Sequence, residues 1–172
     1  MIERNLGVFV GDANSADKAI QAYFRERQYL PVVVFCSAGE CRNNLAAWPV
    51  QPVTPPHKEK DFEFFTAKDA EMARQADVGF MLWDGKSSGT IVNVARLIAA
   101  GKPAVVYVAP KKNFLTLRKT SDLQELLSAC PRETQHRIDR YIAKHAEEYV
   151  QPSIFATEPN DRVQPPAEKR GG

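Results

Sequence analysis

Four short apolar runs constrain this chain more than anything else in it. Leu6–Val10, Val32–Phe35, Val78–Trp83 and Ala104–Val108 are nearly continuous in apolar character and rich in valine, and Gly11-Asp12, Asp84-Gly85 and Pro110 bound three of them. A continuous run, as opposed to an alternating one, suits a strand buried on both faces, as inside a parallel sheet. Parallel neighbours need a crossover, usually helical, and the intervening segments supply the period. Ala19, Ile20, Tyr23 and Phe24 share one helical face, as do Met72, Ala73 and Ala76, and Ile91, Val94, Ala95 and Ile98. Helix ends are marked as well. Asn14 or Ser15 can cap the first helix, with Asp17 in its first turn. Thr66 and Asp69 resemble a capping box for the second. The third, Gly89–Ala100, stops at Gly101 with Pro103 beyond. The expected class is α/β: a Rossmann-like three-layer sandwich with a mostly parallel sheet.

Between the second and third runs, Pro49–Phe62 holds Pro49, Pro52, Pro55 and Pro56 and reads as a surface loop. Beyond Pro110 the pattern changes. Phe114–Leu117 suits a short edge strand, Asp122–Ala129 a helix, and Arg132–Tyr149 a longer amphipathic helix with Ile138, Tyr141, Ile142 and Tyr149 on its stripe. From Gln151 the chain is proline-rich and has little to bury, so it reads as a disordered tail. This gives a core over 1–110, a helical extension over 111–150 and a tail over 151–172.

The 172 residues, 44% hydrophobic and 26% charged, suit one domain. A formal charge of +2 offers no basic field for a long nucleic acid. No apolar run reaches the about 18 residues of a membrane span, and the opening residues lack a signal-peptide profile, so a cytoplasmic protein with no membrane partner is expected. In that compartment Cys36, Cys41 and Cys130 are expected as small buried or half-buried thiols, not a disulfide framework. Their spacing completes no zinc set, so no metal is called for, nor any cofactor. His57, His136 and His145 have no nucleophile at a useful spacing and are expected at the surface, as is the mixed run Lys58–Asp61.

In an open parallel sheet, ligands bind where strand ends lead into helix N-termini. Two loops fit. In the first, Gly11 allows close backbone approach, and Asp12 and Asp17 lie near the helix start. In the second, Asp84, Gly85, Lys86, Ser87, Gly89 and Thr90 gather glycines, hydroxyls and an ammonium at the next helix start. A Walker loop is excluded, because its first glycine would fall at Phe80, inside a strand. The plainer alternative is that Gly85 and Gly89 make a tight turn and Lys86 is solvated. Trp83 could stack on a base, but a tryptophan at a strand end more often belongs to the core. The three aspartates could meet a ribose hydroxyl or a magnesium ion, though capping and turn roles account for each.

Gly11-Asp12-Ala13-x-x-Ala16-Asp17, Met72-Ala73-x-x-Ala76-Asp77, Trp83-Asp84-Gly85-Lys86-Ser87-x-Gly89-Thr90 and Gly101-Lys102-Pro103 together resemble the SLOG superfamily of Rossmann-like proteins, closest to its bacterial YspA-related branch. The resemblance covers roughly residues 6–110. It implies binding of a nucleotide or nucleotide-derived small molecule, as in ligand sensors of bacterial defence; the superfamily also contains cytokinin-activating phosphoribohydrolases.

The departures bear on activity. The phosphoribohydrolases' catalytic glutamate, three residues after the threonine, falls here at Asn93, whose amide cannot act as base or nucleophile. The family's arginine four residues before the methionine is here Lys68, which keeps the charge without the bidentate fork. Arg42-Asn43 resembles a family pair but lies too far upstream, leaving it a loop candidate. The superfamily's first strand–helix unit has no counterpart before Leu6. A shortened chain, a late gene start or an edge supplied by a partner would each explain this, and an exposed sheet flank leaves a homodimer open.

The preferred reading is a binding module using Gly11, Asp12, Asp17, Lys68, Asp84, Gly85, Lys86, Ser87, Gly89 and Thr90. The first alternative is an N-glycosidase, phosphoribohydrolase or ribosyltransferase on nucleoside monophosphates, with Asp84 or Asp69 replacing the glutamate. The second is an interaction protein with a vestigial pocket.

Overall fold

The computed structural model describes residues 1–39, 41–60, 62–128 and 130–144, excepting the side chains of 62, 63, 141 and 144. The expectations for Tyr149, His145, Asp61, Ala129, the Tyr141 side chain and the tail fall outside this set. The elements are β1 (Val8–Val10), α1 (Ala16–Glu26), β2 (Val32–Ser37), β3 (Val50–Val53), α2 (Phe62–Gln75), β4 (Gly79–Trp83), α3 (Ser88–Ala99), β5 (Ala104–Val108), β6 (Asn113–Leu117), α4 (Thr120–Ser128) and α5 (Arg132–Lys144). The protein is α/β, consistent with a Rossmann-like sandwich.

The strands form two three-stranded sheets instead of one. The first, ordered β1-β2-β3, is wholly parallel, with Val8 opposite Val32 and Val34 opposite Val50. In the second, β4 and β5 are parallel while β6 turns back antiparallel, Leu117 lying opposite Ala104. β1 is only three residues long and its ladder is made with β2. The link between the halves is α2, which packs on both β2 and α3.

Burial explains the continuous apolar runs. In β2, Val32, Val34 and Cys36 join Val10, Phe24, Tyr29 and Trp48 in one cluster, which places α1 over that face. Phe35, equally buried, packs on Phe9 with ring centroids 5.1 Å apart, and Ser37 Oγ–H donates to the Phe64 carbonyl of α2 at 3.0 Å. Helices therefore cover both faces of β2, as its lack of alternation requires. In the second sheet Trp83, Ala104, Val106, Val108 and Leu117 meet Ile91, Val94, Leu97, Leu123, Leu127 and Ile138 of α3, α4 and α5. Trp83 belongs to this core, its indole N–H on the Ser87 carbonyl at 3.0 Å. The opposite face shows Phe80, Leu82 and Phe114 to solvent.

Several local expectations are corrected. The proline-rich stretch contains β3; Pro52 is accommodated because β3 is an edge strand bonded only to β2. Thr66 lies inside α2, which begins at Phe62, so the supposed capping box is helix interior. Ser15 occupies the cap position of α1 but makes no side-chain cap bond; the Asp17 carboxylate accepts from Ala13 N–H instead. Cys36 and Cys41 form a disulfide, contrary to the expected thiols. The end of β2 and the loop following it bring these two residues within bonding distance, whereas Cys130 remains a free thiol. His136 is exposed and His57 half-buried. α3 stops where Gly101 and Pro103 predict, with Lys102 N–H closing onto the Leu97 carbonyl at 2.8 Å. The Lys102 ammonium donates to the carbonyls of Ala73 and Arg74 at the end of α2, a favourable place for a cation.

Candidate functional site

Two strand-to-helix turns and a charged cluster on α2 make up the site, beginning where β1 runs into α1. Gln21, on the second turn of α1 and fully buried, donates through Nε2 to the Gly11 carbonyl at 2.8 Å and the Asn43 carbonyl at 3.2 Å, while its Oε1 accepts from Leu45 N–H. Asn43 Nδ2 donates to the Asp12 carbonyl at 2.7 Å and to Asn14 Oδ1 at 2.8 Å. The Asp12 carboxylate is gripped by Arg42: Oδ1 accepts from Nη2 at 2.8 Å, and Oδ2 accepts from Nε and from the Arg42 backbone N–H. Burial alone would raise the Asp12 pKa, but the Arg42 hydrogen bonds and charge, aided by Lys68, hold it below the usual carboxylate range. The guanidinium also lies 4.9 Å from the Phe65 ring centroid, in cation–π contact.

Around Lys68 on α2 the charges alternate. Its side chain is 5% exposed, with Nζ 2.5 Å from Asp69 Oδ1 and 3.8 Å from Asp17 Oδ2. A Cβ at Gly11 would stand 2.3 Å from Asp17 Oδ2 and 2.8 Å from Lys68 Nζ, so any larger residue there must displace both side-chain ends. Burial pushes the Asp17 carboxyl above its ordinary pKa, against the Lys68 charge and the Ala13 N–H, which act to lower it. Asp69 Oδ2 accepts from Asn93 Nδ2 at 3.3 Å, and Asn93 Oδ1 accepts from Arg96 Nη1 at 2.9 Å. A polar chain thus runs from the first turn of α1 through α2 to the second turn of α3.

At the turn from β4 into α3, Asp84 Oδ1 accepts from the N–H groups of Lys86 and Ser87 at 2.9 and 2.7 Å. Those two bonds, led by Ser87, keep its pKa low. Gly85 takes the left-handed conformation, φ +80°, that such a turn needs. The Arg137 guanidinium of α5 donates to the Lys86 carbonyl. Ser87 sits at the helix cap without a side-chain cap bond; Thr90 Oγ1 lies 3.4 Å from its hydroxyl. The first helical N–H groups, those of Ser88, Gly89 and Thr90, have no acceptor within the helix.

The structure thus gathers Gly11, Asp12, Asp17 and Lys68 in one cluster and places Asp84, Gly85, Lys86, Ser87, Gly89 and Thr90 on the second turn. Asn93, on the same face of α3 as Thr90, joins the first cluster to α3 through Asp69. Asp84 is committed to stabilising its own turn, and Lys86 is exposed. Gln21 and Arg96 escaped the sequence reading, and Arg42 and Asn43 were undervalued. Gln21 had a signal: with Asp17 and Phe24 it falls at i, i+4, i+7, a polar residue within an apolar helix face. Among the described residues no group of three or more His, Cys, Asp or Glu could hold a metal ion, and no helix is long and apolar enough to cross a membrane.

Fold and site together define an α/β protein in which a largely buried polar network links the first strand-to-helix turn through α2 to α3, whose N-terminus carries the second. Comparison of the chain with protein-family models, with curated proteins and with solved structures finds no match in any of the three.

Proposed function

We propose that this chain is a binding module for a nucleotide or nucleotide-derived small molecule, held between the β1–α1 and β4–α3 turns, in the manner of the SLOG superfamily it resembles. The supporting observation is the chain Asp17–Lys68–Asp69–Asn93, which runs from the first turn of α1 across α2 to α3, three residues past Thr90. The phosphate belongs at the N-terminus of α3, where Ser88, Gly89 and Thr90 offer N–H groups and Lys86 adds charge. The N–H groups of Lys86 and Ser87 already serve Asp84, so they are not counted among its donors. Asp17 and Lys68 face the sugar end. A cytoplasmic location is part of the same proposal.

The enzyme reading keeps one specific support. Asp69 sets a carboxylate beside Asn93, the position of the related hydrolases' glutamate. It would make Asp69 the acting carboxylate, and Asp84, engaged in its turn, would not take part.

Thermal unfolding against AMP, NAD, ADP-ribose and cyclic nucleotides tests the binding reading. A ligand at about 100 times its Kd stabilises by roughly 2.7 kcal/mol. One ligand should raise Tm in the native chain and fail to do so in Gly89→Asp and Thr90→Ala variants that remain folded. An unchanged response in both variants would remove the phosphate from this turn. Release of free base that is lost in Asp69→Asn would favour the enzyme.

A further inference from the structure

Cys36 lies near the end of β2 and Cys41 just before the segment that clamps the β1–α1 turn, and the two are joined with their Cα atoms 5.0 Å apart. The residue after Cys41 is Arg42, whose backbone N–H and guanidinium hold Asp12. Asn43 and Leu45 complete the clamp on Asp12, Asn14 and Gln21. Segment 42–45 belongs to no helix or strand. Each of its hydrogen bonds with the turn has a side chain on at least one side; its far end is held by the Asn44–Trp48 bonds and the buried Trp48, and its start by the covalent link at Cys41.

We propose that Cys36–Cys41 is a thiol–disulfide exchange site whose oxidation state sets the order of segment 42–45 and, through Arg42, of the β1–α1 turn. The co-reactant is a small cellular thiol. The two sulfurs are unequal: Cys36 is fully buried at the core of the first sheet, whereas Cys41 is half-buried. Attack therefore falls on Cys41. An incoming thiolate bonds to Cys41 Sγ, the protein S–S bond breaks, and the electron pair leaves on Cys36 Sγ, which takes a proton. A second thiolate attacks the small-molecule sulfur of that mixed disulfide and releases the Cys41 thiolate. The net change is reduction of the protein disulfide to two thiols and oxidation of two small thiols to their disulfide; the reverse reaction restores the clamp. Cys130 is in the other half of the molecule, packed against the second-sheet core, and burial raises its thiol pKa, so it serves as the internal control.

This inference stands apart from the ligand reading, because its readouts need no nucleotide. The full chain, purified without reductant, is equilibrated with millimolar reduced glutathione. It is then alkylated with iodoacetamide in denaturant and, in parallel, followed by hydrogen exchange. One adduct, on Cys130, is expected before glutathione and three after. The Arg42 and Leu45 amides should exchange at least about ten-fold faster after reduction, with β5 amides unchanged. Oxidised glutathione should restore both. Cys41→Ser should show the fast exchange without reductant, and Cys130→Ser should match the native exchange, with no adduct before glutathione and two after. Three adducts without reductant would overturn the proposal by removing the disulfide. One adduct after glutathione would make it an inert staple, and three adducts with unchanged Arg42 and Leu45 exchange would uncouple it from the turn.

Discussion

Replacing Lys68 by Met tests whether the buried charge network organises the site. The ammonium is 5% exposed and is flanked by two carboxylates, Asp69 at 2.5 Å and Asp17 at 3.8 Å, whose side chains are 19% and 26% exposed. Met fills much of the volume but leaves the two anions facing each other without their cation. Removing one partner of a buried ion pair costs about 3–5 kcal/mol, since the charge left behind is poorly solvated. Residual water at the two carboxylates places the expected loss at the lower end, about 3 kcal/mol. For a chain of this size that is a fall in Tm of roughly 6–12 °C. The pH dependence gives the sharper test. The folded-state pKa of Asp17 is already raised by burial, and losing Lys68 raises it further. A raised carboxylate pKa means that the folded state binds more protons than the unfolded state, so ionisation costs stability as pH rises through the folded value. The difference between variant and native chain should therefore be largest near neutral pH and shrink as pH falls toward about 4, the unfolded aspartate value. Urea unfolding at a series of pH values measures it. A loss below about 1 kcal/mol at neutral pH, or one independent of pH, would refute the argument that Lys68 compensates two buried anions.

Three further perturbations separate site from scaffold. Asp12→Asn removes a carboxylate with lowered pKa, whose contribution is present above the unfolded value and lost as pH falls through the folded one. Denaturant titration should show a cost of about 1.5 kcal/mol at pH 7, at the low end for bonds to a charged group because Arg42 is partly solvated, and vanishing in acid. Gly11→Ala drives a Cβ into Asp17 and Lys68 and should cost about 1–3 kcal/mol, whereas Gly7→Ala, with nothing within 4 Å of the new atom, should stay within about 0.5 kcal/mol; thermal unfolding of the pair decides it. Leu127→Ala, fully buried among α3 and the second sheet, should lose about 2–5 kcal/mol in the same assay while leaving Arg42 and Leu45 exchange unaltered.

How far the fold was legible follows from where the signal was local. Val32–Ser37 and Ala104–Val108 are strands because unbroken apolar runs bounded by turns have few other outcomes, and α3 ends at Gly101-Lys102-Pro103 because each residue there stops a helix in its own way. β3 was hidden because Pro52 argues against a strand unless the strand is known to be an edge, and edge position is a property of the whole sheet. The split into two sheets was hidden for a related reason. Strand sequences report burial, and β1 and β4 are both apolar whether or not they bond to each other.

The site was legible in proportion to how much of it lies within one segment. Gly11, Asp17 and the Asp84–Thr90 turn are marked by their place between a strand and a helix, and the structure sets them there. Asp84 is marked for its turn by sequence, and of its two readings there the structure shows the turn role. Its spacing to Lys86 and Ser87 suits an Asx turn as well as it suits a ligand, and its Oδ1 accepts from the backbone donors two and three residues on. Arg42, Asn43 and Asn93 act across distances no local pattern encodes, Arg42 reaching Asp12 thirty positions back and Asn93 reaching Asp69 twenty-four. Asn93 is the instructive residue. Read alone it is a lost carboxylate; in the fold its amide donates to one residue and accepts from another, which neither a carboxylate nor an apolar side chain can do. An amide is the group that joins Asp69 to Arg96 without adding a third anion beside Lys68, and that makes Asn93 a connector of α2 to α3.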